Sequence, residues 1–306
     1  MSQGTLPSHA GAQASGDATL LEMTIEPRLR AKSCGMTDKG RARSTNQDHF
    51  LIAELAKLLR AEQTSLPQSP MQQSDERGHV FAVADGMGGH AAGEQASALA
   101  IETLEKFIVN GVKWFFHLEG GEAKQVEQEF QSAVAQADER MFQEAAARPE
   151  LEGMGTTLTM AYSLNRELFV VHVGDSRCYM MRRGRLQRVT RDHTFVEEML
   201  RHGILSRADA ADSRLRHVVT NAIGGNAPGV QVEVHKIHLE AGDILLLCSD
   251  GLTDELSDQE IAEILAQTPE PSECCKVLVD RANQAGGKDN ITAIVARFEE
   301  DTGRSS

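Results

Sequence analysis

The sequence predicts an α+β layered sandwich, and three observations carry that expectation. Strand-like segments arrive in hairpin-like runs. Helix-like segments come in pairs. The strict strand–helix alternation of a doubly wound parallel sheet is missing. With 306 residues, 41% apolar and 25% charged, the chain can bury a substantial core as one large domain or two small ones.

Taken in order, residues 1–28 are small, polar and glycine-containing, the composition of a flexible tail. "AELAKLLRA" at 53–61 reads as a short helix, and "EQTSLPQSPMQQSDERG" at 62–78 carries two prolines and no periodicity. Residues 54–78 are therefore expected to be an insertion between two strands. A tolerated surface loop is the simpler reading than a partner-binding arm. Two long helices follow. Ile101, Leu104 and Ile108 share one face of the first, and Val126, Phe130, Val134, Ala137 and Met141 share one face of the second. These stripes predict core packing.

After Gly155 the apolar period changes to two. In "TTLTMAYSL", Leu158, Met160 and Tyr162 alternate with Thr157, Thr159 and Ala161. "ELFVVHVG" and "SRCYMMR" continue as strands, and Arg183-Gly184 makes a tight turn into "RLQRVT". Residues 194–229 read as short helices and loops. Strands return in "VQVEVHKIHL" and "DILLLCSD", followed by helices near 257–266 and 271–284 and a last strand in "NITAIVARF".

The net charge of −14 argues against a nucleic-acid or anionic-membrane partner, which needs a positive patch that releases counterions. The five cysteines are odd in number and lack any C-x-x-C spacing, as expected in a reducing compartment. Apolar runs reach only about five residues, against the ~20 that span a bilayer, and no secretory signal opens the chain. A cytoplasmic location is the expectation.

The acidity has a pattern. "VFAVADG" ends in Asp85 and Gly86, "FVVHVGDS" in Asp175, and "ILLLCSDG" in Asp250 and Gly251; "GGKDNITAIV" places Asp289 just before a strand. One aspartate at a strand end is ordinarily a turn former or cap. Four of them at strand tips suggest a shared task. Gathered carboxylates repel one another unless a cation sits among them, and hard oxygen ligands without Cys or His favour magnesium or manganese. Glycine after the aspartate would let its carbonyl approach an ion. Two such ions can share a hydroxide and clamp phosphoryl oxygens. Arg43, five residues before Asp48 in "RARSTNQDHF", offers the bidentate guanidinium that a phosphate favours.

Eight segments in register carry a resemblance: "RSTNQD" (43–48), "ADGMGGHAAGE" (84–94), "GMGTTL" (153–158), "VGDSRCY" (173–179), "TRDHT" (190–194), "NAIGG" (221–225), "LLCSDGL" (246–252) and "GGKDNIT" (286–292). Over about residues 30–298 the chain resembles the metal-dependent protein phosphatases, the type 2C serine/threonine phosphatases, in their bacterial branch. The resemblance implies a four-layer αββα sandwich, two central antiparallel sheets flanked by helix pairs, formed by residues 29–300. It implies two Mn²⁺ or Mg²⁺ ions plus a weaker third. Asp85 would bridge both ions, the Gly86 carbonyl would bind one, and Asp250 and Asp289 would hold the other. Asp175 would hold the third ion, Asp48 would lie in or beside the cluster, and Arg43 would grip the phosphate. Gln47 stands where some relatives carry Glu, which alters the ligand charge. His90 is the candidate that protonates the leaving alkoxide, with His49 and His193 as alternatives.

The implied reaction is in-line attack of metal-activated water on phosphoserine or phosphothreonine proteins, without a phosphoenzyme. A serine/threonine kinase is an expected partner, and a monomer is the expected state. Residues 191–229 correspond to the family's flap. Arg177, Arg182, Arg183, Arg185, Arg188 and Arg191 beside it are either solvated hairpin arginines or a patch that steers acidic substrates.

Two rivals stand against this reading. Cys275 and Arg281 share the C-x₅-R spacing of cysteine-dependent phosphatases, but "KVLVD" between them is helical and lacks the glycines of an amide cradle. A catalytically weak phosphoprotein-binding module on the same fold is the second, yet every mapped metal ligand is present.

Overall fold

The computed structural model describes residues 1, 27–60, 71–110, 123–206, 209–210, 213 and 215–301, with the side chains of 57–60, 71–76, 90, 91, 123 and 125 excepted. The tail at 2–26 and the centre of the expected insertion at 61–70 lie outside the described residues.

The described elements run β1 (Leu29–Asp38), β2 (Asp48–Arg60), β3 (Met71–Met87), α1 (His90–Asn110), α2 (Ala123–Ala147), β4 (Gly155–Thr156), β5 (Leu158–Leu164), β6 (Glu167–Val173), β7 (Arg177–Arg182), β8 (Arg185–Arg188), α3 (Phe195–Arg201), β9 (Ile223–Gly224), β10 (Glu233–His238), β11 (Ile244–Cys248), α4 (Asp250–Thr253), α5 (Asp258–Gln267), α6 (Pro271–Ala285) and β12 (Ile291–Glu300). They form two sheets, β1-β12-β11-β7-β8 and β10-β6-β5-β3, with β2 paired to β3 and the short β4 and β9 at the β3 tip. Every pairing recorded between these strands is antiparallel.

Strand alternation divides the core into three interior layers. On β3, Val80, Ala82 and Ala84 pack with Ile101, Leu104 and Ile108 of α1 and Phe130, Val134 and Met141 of α2. The intervening Phe81 and Val83 face the other sheet and meet Leu245, Leu247, Ile294 and Ala296. Beyond that sheet, Leu246, Val295 and Ala293 pack with Ile261, Leu265, Cys275 and Leu278 on α5 and α6. Helix, sheet, sheet and helix are thus stacked, as expected. Both faces of β5 are buried, because its period-two pattern sits between two apolar layers. The Arg183-Gly184 turn has φ of 51° and 77°, the left-handed pair that a two-residue hairpin with native strand twist requires.

One local expectation is overturned. Residues 53–60 of "AELAKLLRA" continue β2 and pair with β3, from Ala53↔Val80 to Arg60↔Met71, with a register shift between Ala56 and Leu58. A nine-residue helix is marginal alone because nucleation is costly, and pairing with a neighbouring strand overrides its propensity. The described ends of the expected insertion therefore extend a β-ribbon.

Candidate metal centre

The sandwich brings five separated aspartates to one end. Asp48 and Asp85 are direct partners across β2 and β3. Asp175 follows β6 after one glycine, Asp250 opens α4 just beyond β11, and Asp289 precedes β12 by one residue. Arg43, Asp85, Gly86, Asp175, Asp250 and Asp289 line one cavity of about 580 Å³.

Local hydrogen bonding explains why each carboxylate stands where it does. The Asp85 N–H donates to Thr157 Oγ1 at 3.0 Å, and its carbonyl accepts from Thr156 Oγ1 at 2.8 Å and Thr157 N at 2.9 Å. Asp48 Oδ2 accepts from Ser249 Oγ at 2.8 Å and Thr292 Oγ1 at 2.7 Å, so both sheets hold it. The two glycines after aspartate make room for backbone. A Cβ on Gly86 would lie 2.0 Å from the Gly93 carbonyl oxygen, and one on Gly251 would lie 2.1 Å from that of Asn290.

This arrangement is electrostatically incomplete. Asp48 Oδ1 and Asp250 Oδ1 are buried without a hydrogen-bond partner. Burial, and then the charges of Asp48, Asp250, Asp175 and Asp289, hold Asp85 well above the usual carboxylate range. Asp250 is raised by burial and by Asp175, Asp254, Asp289 and Asp48. Burial pushes Asp48 up to about 6 and Asp175 up to about 7. Unpartnered buried oxygens on hard anionic ligands fit divalent cations. Arg43, Arg216 and Lys288 bring positive charge to the cavity lining, and Arg43 Nη2 lies 2.5 Å from Asp289 Oδ2.

The alternatives for proton transfer separate in space. His90 opens α1, and its side chain lies outside the described residues. The His49 Nδ1 is paired with Ser97 Oγ at 3.0 Å. His193 is tied to Gly174 and Glu233. Sequence reasoning missed His217: this flap residue lines the cavity, with Nδ1 3.4 Å from Asp254 Oδ2 and 3.9 Å from Asp250 Oδ2. It also missed Asp254, one helical turn after Asp250, and Asn290. Asn290 fastens the Arg43 loop by donating to the carbonyls of Lys39 and Thr45, both at 2.9 Å, and accepting from Gln47 N at 2.8 Å. The i, i+4 step from Asp250 was the available signal for Asp254.

Five of the six arginines beside the flap face carboxylates: Arg177 with Asp192 at 2.7 Å, Arg182 with Asp243 at 2.6 Å, Arg183 with Glu240 at 2.7 Å, Arg188 with Asp192 at 3.3 Å and Arg191 with Glu233 at 4.0 Å. Pairing at those five positions weakens any steering of acidic substrates. Cys275 is buried between α6 and the sheet with its thiol pushed up to about 12 by burial, the opposite of a nucleophilic thiolate.

A family model described as Protein phosphatase 2C matches residues 68–285. The chain belongs to the protein phosphatase 2C family. Among its relatives in that family, the serine/threonine protein phosphatase PstP of Mycobacterium tuberculosis is 38% identical over 218 residues, 71% of this chain and 40% of PstP. The chain thus spans well under half of that relative's length. The serine/threonine phosphatase stp of Listeria innocua is 31% identical over 259 residues, covering 85% of this chain and 92% of stp. Among solved structures, the catalytic domain of PstP in complex with two manganese ions superposes with a TM-score of 0.68 at 32% identity, over 89% of this chain and 99% of that one. No helix of the described residues is long and apolar enough to cross a membrane.

Proposed function

We propose that this chain is a serine/threonine protein phosphatase that hydrolyses phosphoserine and phosphothreonine esters by in-line attack of water at a pair of divalent ions, manganese or magnesium. The observation that carries the reading is the convergence of Asp48, Asp85, Asp175, Asp250 and Asp289, with two buried oxygens unpartnered. The PstP catalytic domain, solved with two manganese ions, supports a manganese centre in this chain. Asp85 would contact both ions, the Gly86 carbonyl one, and Asp250 and Asp289 the other; Asp175 would serve a weaker third. When bound, the ions supply positive charge to the phosphoryl oxygens and lower the pKa of the attacking water.

The chain's own groups do the rest. Arg43 reaches the cavity on a half-exposed side chain, and its planar fork suits two phosphoryl oxygens. Asp48, locked by Ser249 and Thr292, keeps Asp85 in register across the hairpin. His90 protonates the leaving alkoxide; His217, whose imidazole lines the cavity, is the second candidate. Phosphoproteins, including those modified by a partner kinase, are the proposed substrates.

The test is hydrolysis of a phosphothreonine peptide and of p-nitrophenyl phosphate with Mn²⁺, with Mg²⁺ and with EDTA. Metal-dependent turnover is expected. A folded, metal-loaded protein without turnover would favour the phosphoprotein-binding module. His90→Asn should slow the peptide by ~10²–10⁴-fold and the nitrophenyl ester far less, since nitrophenolate leaves without help from an acid. If His217→Asn gives that pattern instead, the donor is on the flap.

A further inference from the structure

His172, His193 and Glu233 bring their ligand atoms within 4.8 Å of one another, outside the carboxylate cluster. Their hydrogen bonds decide against an ion. The His172 nitrogens are engaged by Thr159 Oγ1 and the Arg191 carbonyl, both at 2.9 Å. Those of His193 face Gly174 N at 3.1 Å, Asn221 Nδ2 at 2.9 Å and Glu233 Oε2 at 3.3 Å. The cluster is a strut, and its central member is His193.

We propose that His193 is a positioning residue that fastens the flap to Asp175, acting as the tautomer with an unprotonated Nδ1. This inference rests on the phosphatase reading, in which Asp175 is a metal ligand. Both faces of the Gly174 peptide environment meet His193. Its N–H donates to the Gly174 carbonyl at 2.7 Å, and its Nδ1 accepts the Gly174 N–H. Gly174 has φ of +105°, and a Cβ there would lie 2.6 Å from that of Thr157. The backbone delivering Asp175 therefore has one tightly set conformation, with His193 as its clasp.

The other bonds of His193 reach across the flap. Its carbonyl accepts from Thr220 N at 2.8 Å. Asn221 is itself oriented by Gln231, through Nδ2 to the carbonyl at 2.7 Å and Oδ1 from the N–H at 3.0 Å. The two ends of the flap thus close on one residue. The tautomer follows from donor chemistry. A backbone N–H and an amide NH₂ can only donate, so Nδ1 must be the acceptor and Nε2 carries the proton toward Glu233. The carboxylate orients the ring from behind, as outer partners do for metal-site ligands.

The test uses two substitutions that split the imidazole. The Asn Oδ1 replaces Nδ1, whereas the Gln side chain reaches toward the Nε2 position. Wild type, His193→Asn and His193→Gln are compared in Mn²⁺-dependent hydrolysis of a phosphothreonine peptide. The ¹⁵N imidazole shifts of His193 are recorded on the wild-type protein, independently of turnover. The expected results are an unprotonated Nδ1, near-complete rescue by Asn, and a loss of about 10- to 100-fold in kcat/KM for Gln. The Gln loss should be larger on the peptide than on p-nitrophenyl phosphate, because flap residues Arg216, His217 and Val219 line the cavity and the peptide is the larger substrate. A protonated Nδ1, or equal losses for Asn and Gln on both substrates, overturns the inference. Wild type without metal-dependent turnover fails the phosphatase reading instead, and the imidazole shifts still decide the tautomer.

Discussion

Asp48 has one oxygen held by two hydroxyls and the other buried with no partner. Its carboxyl is pushed up to about 6 and that of Asp175 to about 7, chiefly by burial. In the metal-free protein each keeps its proton above the ordinary value of 3.8. The stability this contributes is complete at low pH and is lost as pH rises through about 6 to 7. Divalent ions compete with those protons. The rise in Tm produced by Mn²⁺ should therefore grow between about pH 5.5 and 7.5, as read by paired melts with Mn²⁺ and with EDTA. Taking that difference cancels buried His172, held down to about 4, which acts in the opposite sense. Replacing Asp85 by Asn should raise the melting temperature in EDTA, because it removes the burial cost of the carboxylate and its repulsion with the neighbouring aspartates. The same change should abolish the metal-induced rise. A lower Tm in EDTA would mean that Asp85 is not held among uncompensated like charges.

Elements were legible where periodicity was strong and both neighbours were apolar. The stripes on α1 and α2 and the alternation in β5 are buried as expected. The edge strand β1, "LRAKSCGMTD", was not placed, because its burial is intermediate and its side chains show no clean alternation. Only the distal part of the β2–β3 ribbon, residues 53–60 and 71–78, departs from the helix and loop expected there, because pairing, which local propensity does not record, decides it. Among the candidate site residues, Asp85, Asp175, Asp250 and Asp289 were visible from their strand-end positions, whereas the place of Asp48 came from the resemblance. His217 was not visible, since only the folded flap brings it beside Asp254. Replacing residues 57–76 by Asn-Gly, between the paired Ala56 and Arg77, should give a two-residue hairpin loop and keep nitrophenyl phosphate turnover near wild type. A large loss would make the ribbon part of the site. Gly251→Ala should cost about 1–3 kcal/mol through overpacking and lower turnover, because its Cβ would press on the Asn290 carbonyl oxygen; an unchanged Tm would contradict this packing.

For the whole molecule, the sandwich acts as a device for convergence. β2 and β3 deliver two carboxylates from one sheet, β11 and β12 deliver two from the other, and the turn between β6 and β7 adds the fifth. Like charges are held together by hydrogen bonds and by apolar layers on both sides, which leaves the end of the molecule short of positive charge. The most direct measurement is calorimetric titration of Mn²⁺ into the metal-stripped chain at neutral pH, with Asp250→Asn alongside. A carboxylate centre predicts two bound ions, a weaker third, and loss of tight binding in the variant. A folded protein that takes up no manganese, or whose binding is unchanged by Asp250→Asn, would contradict it.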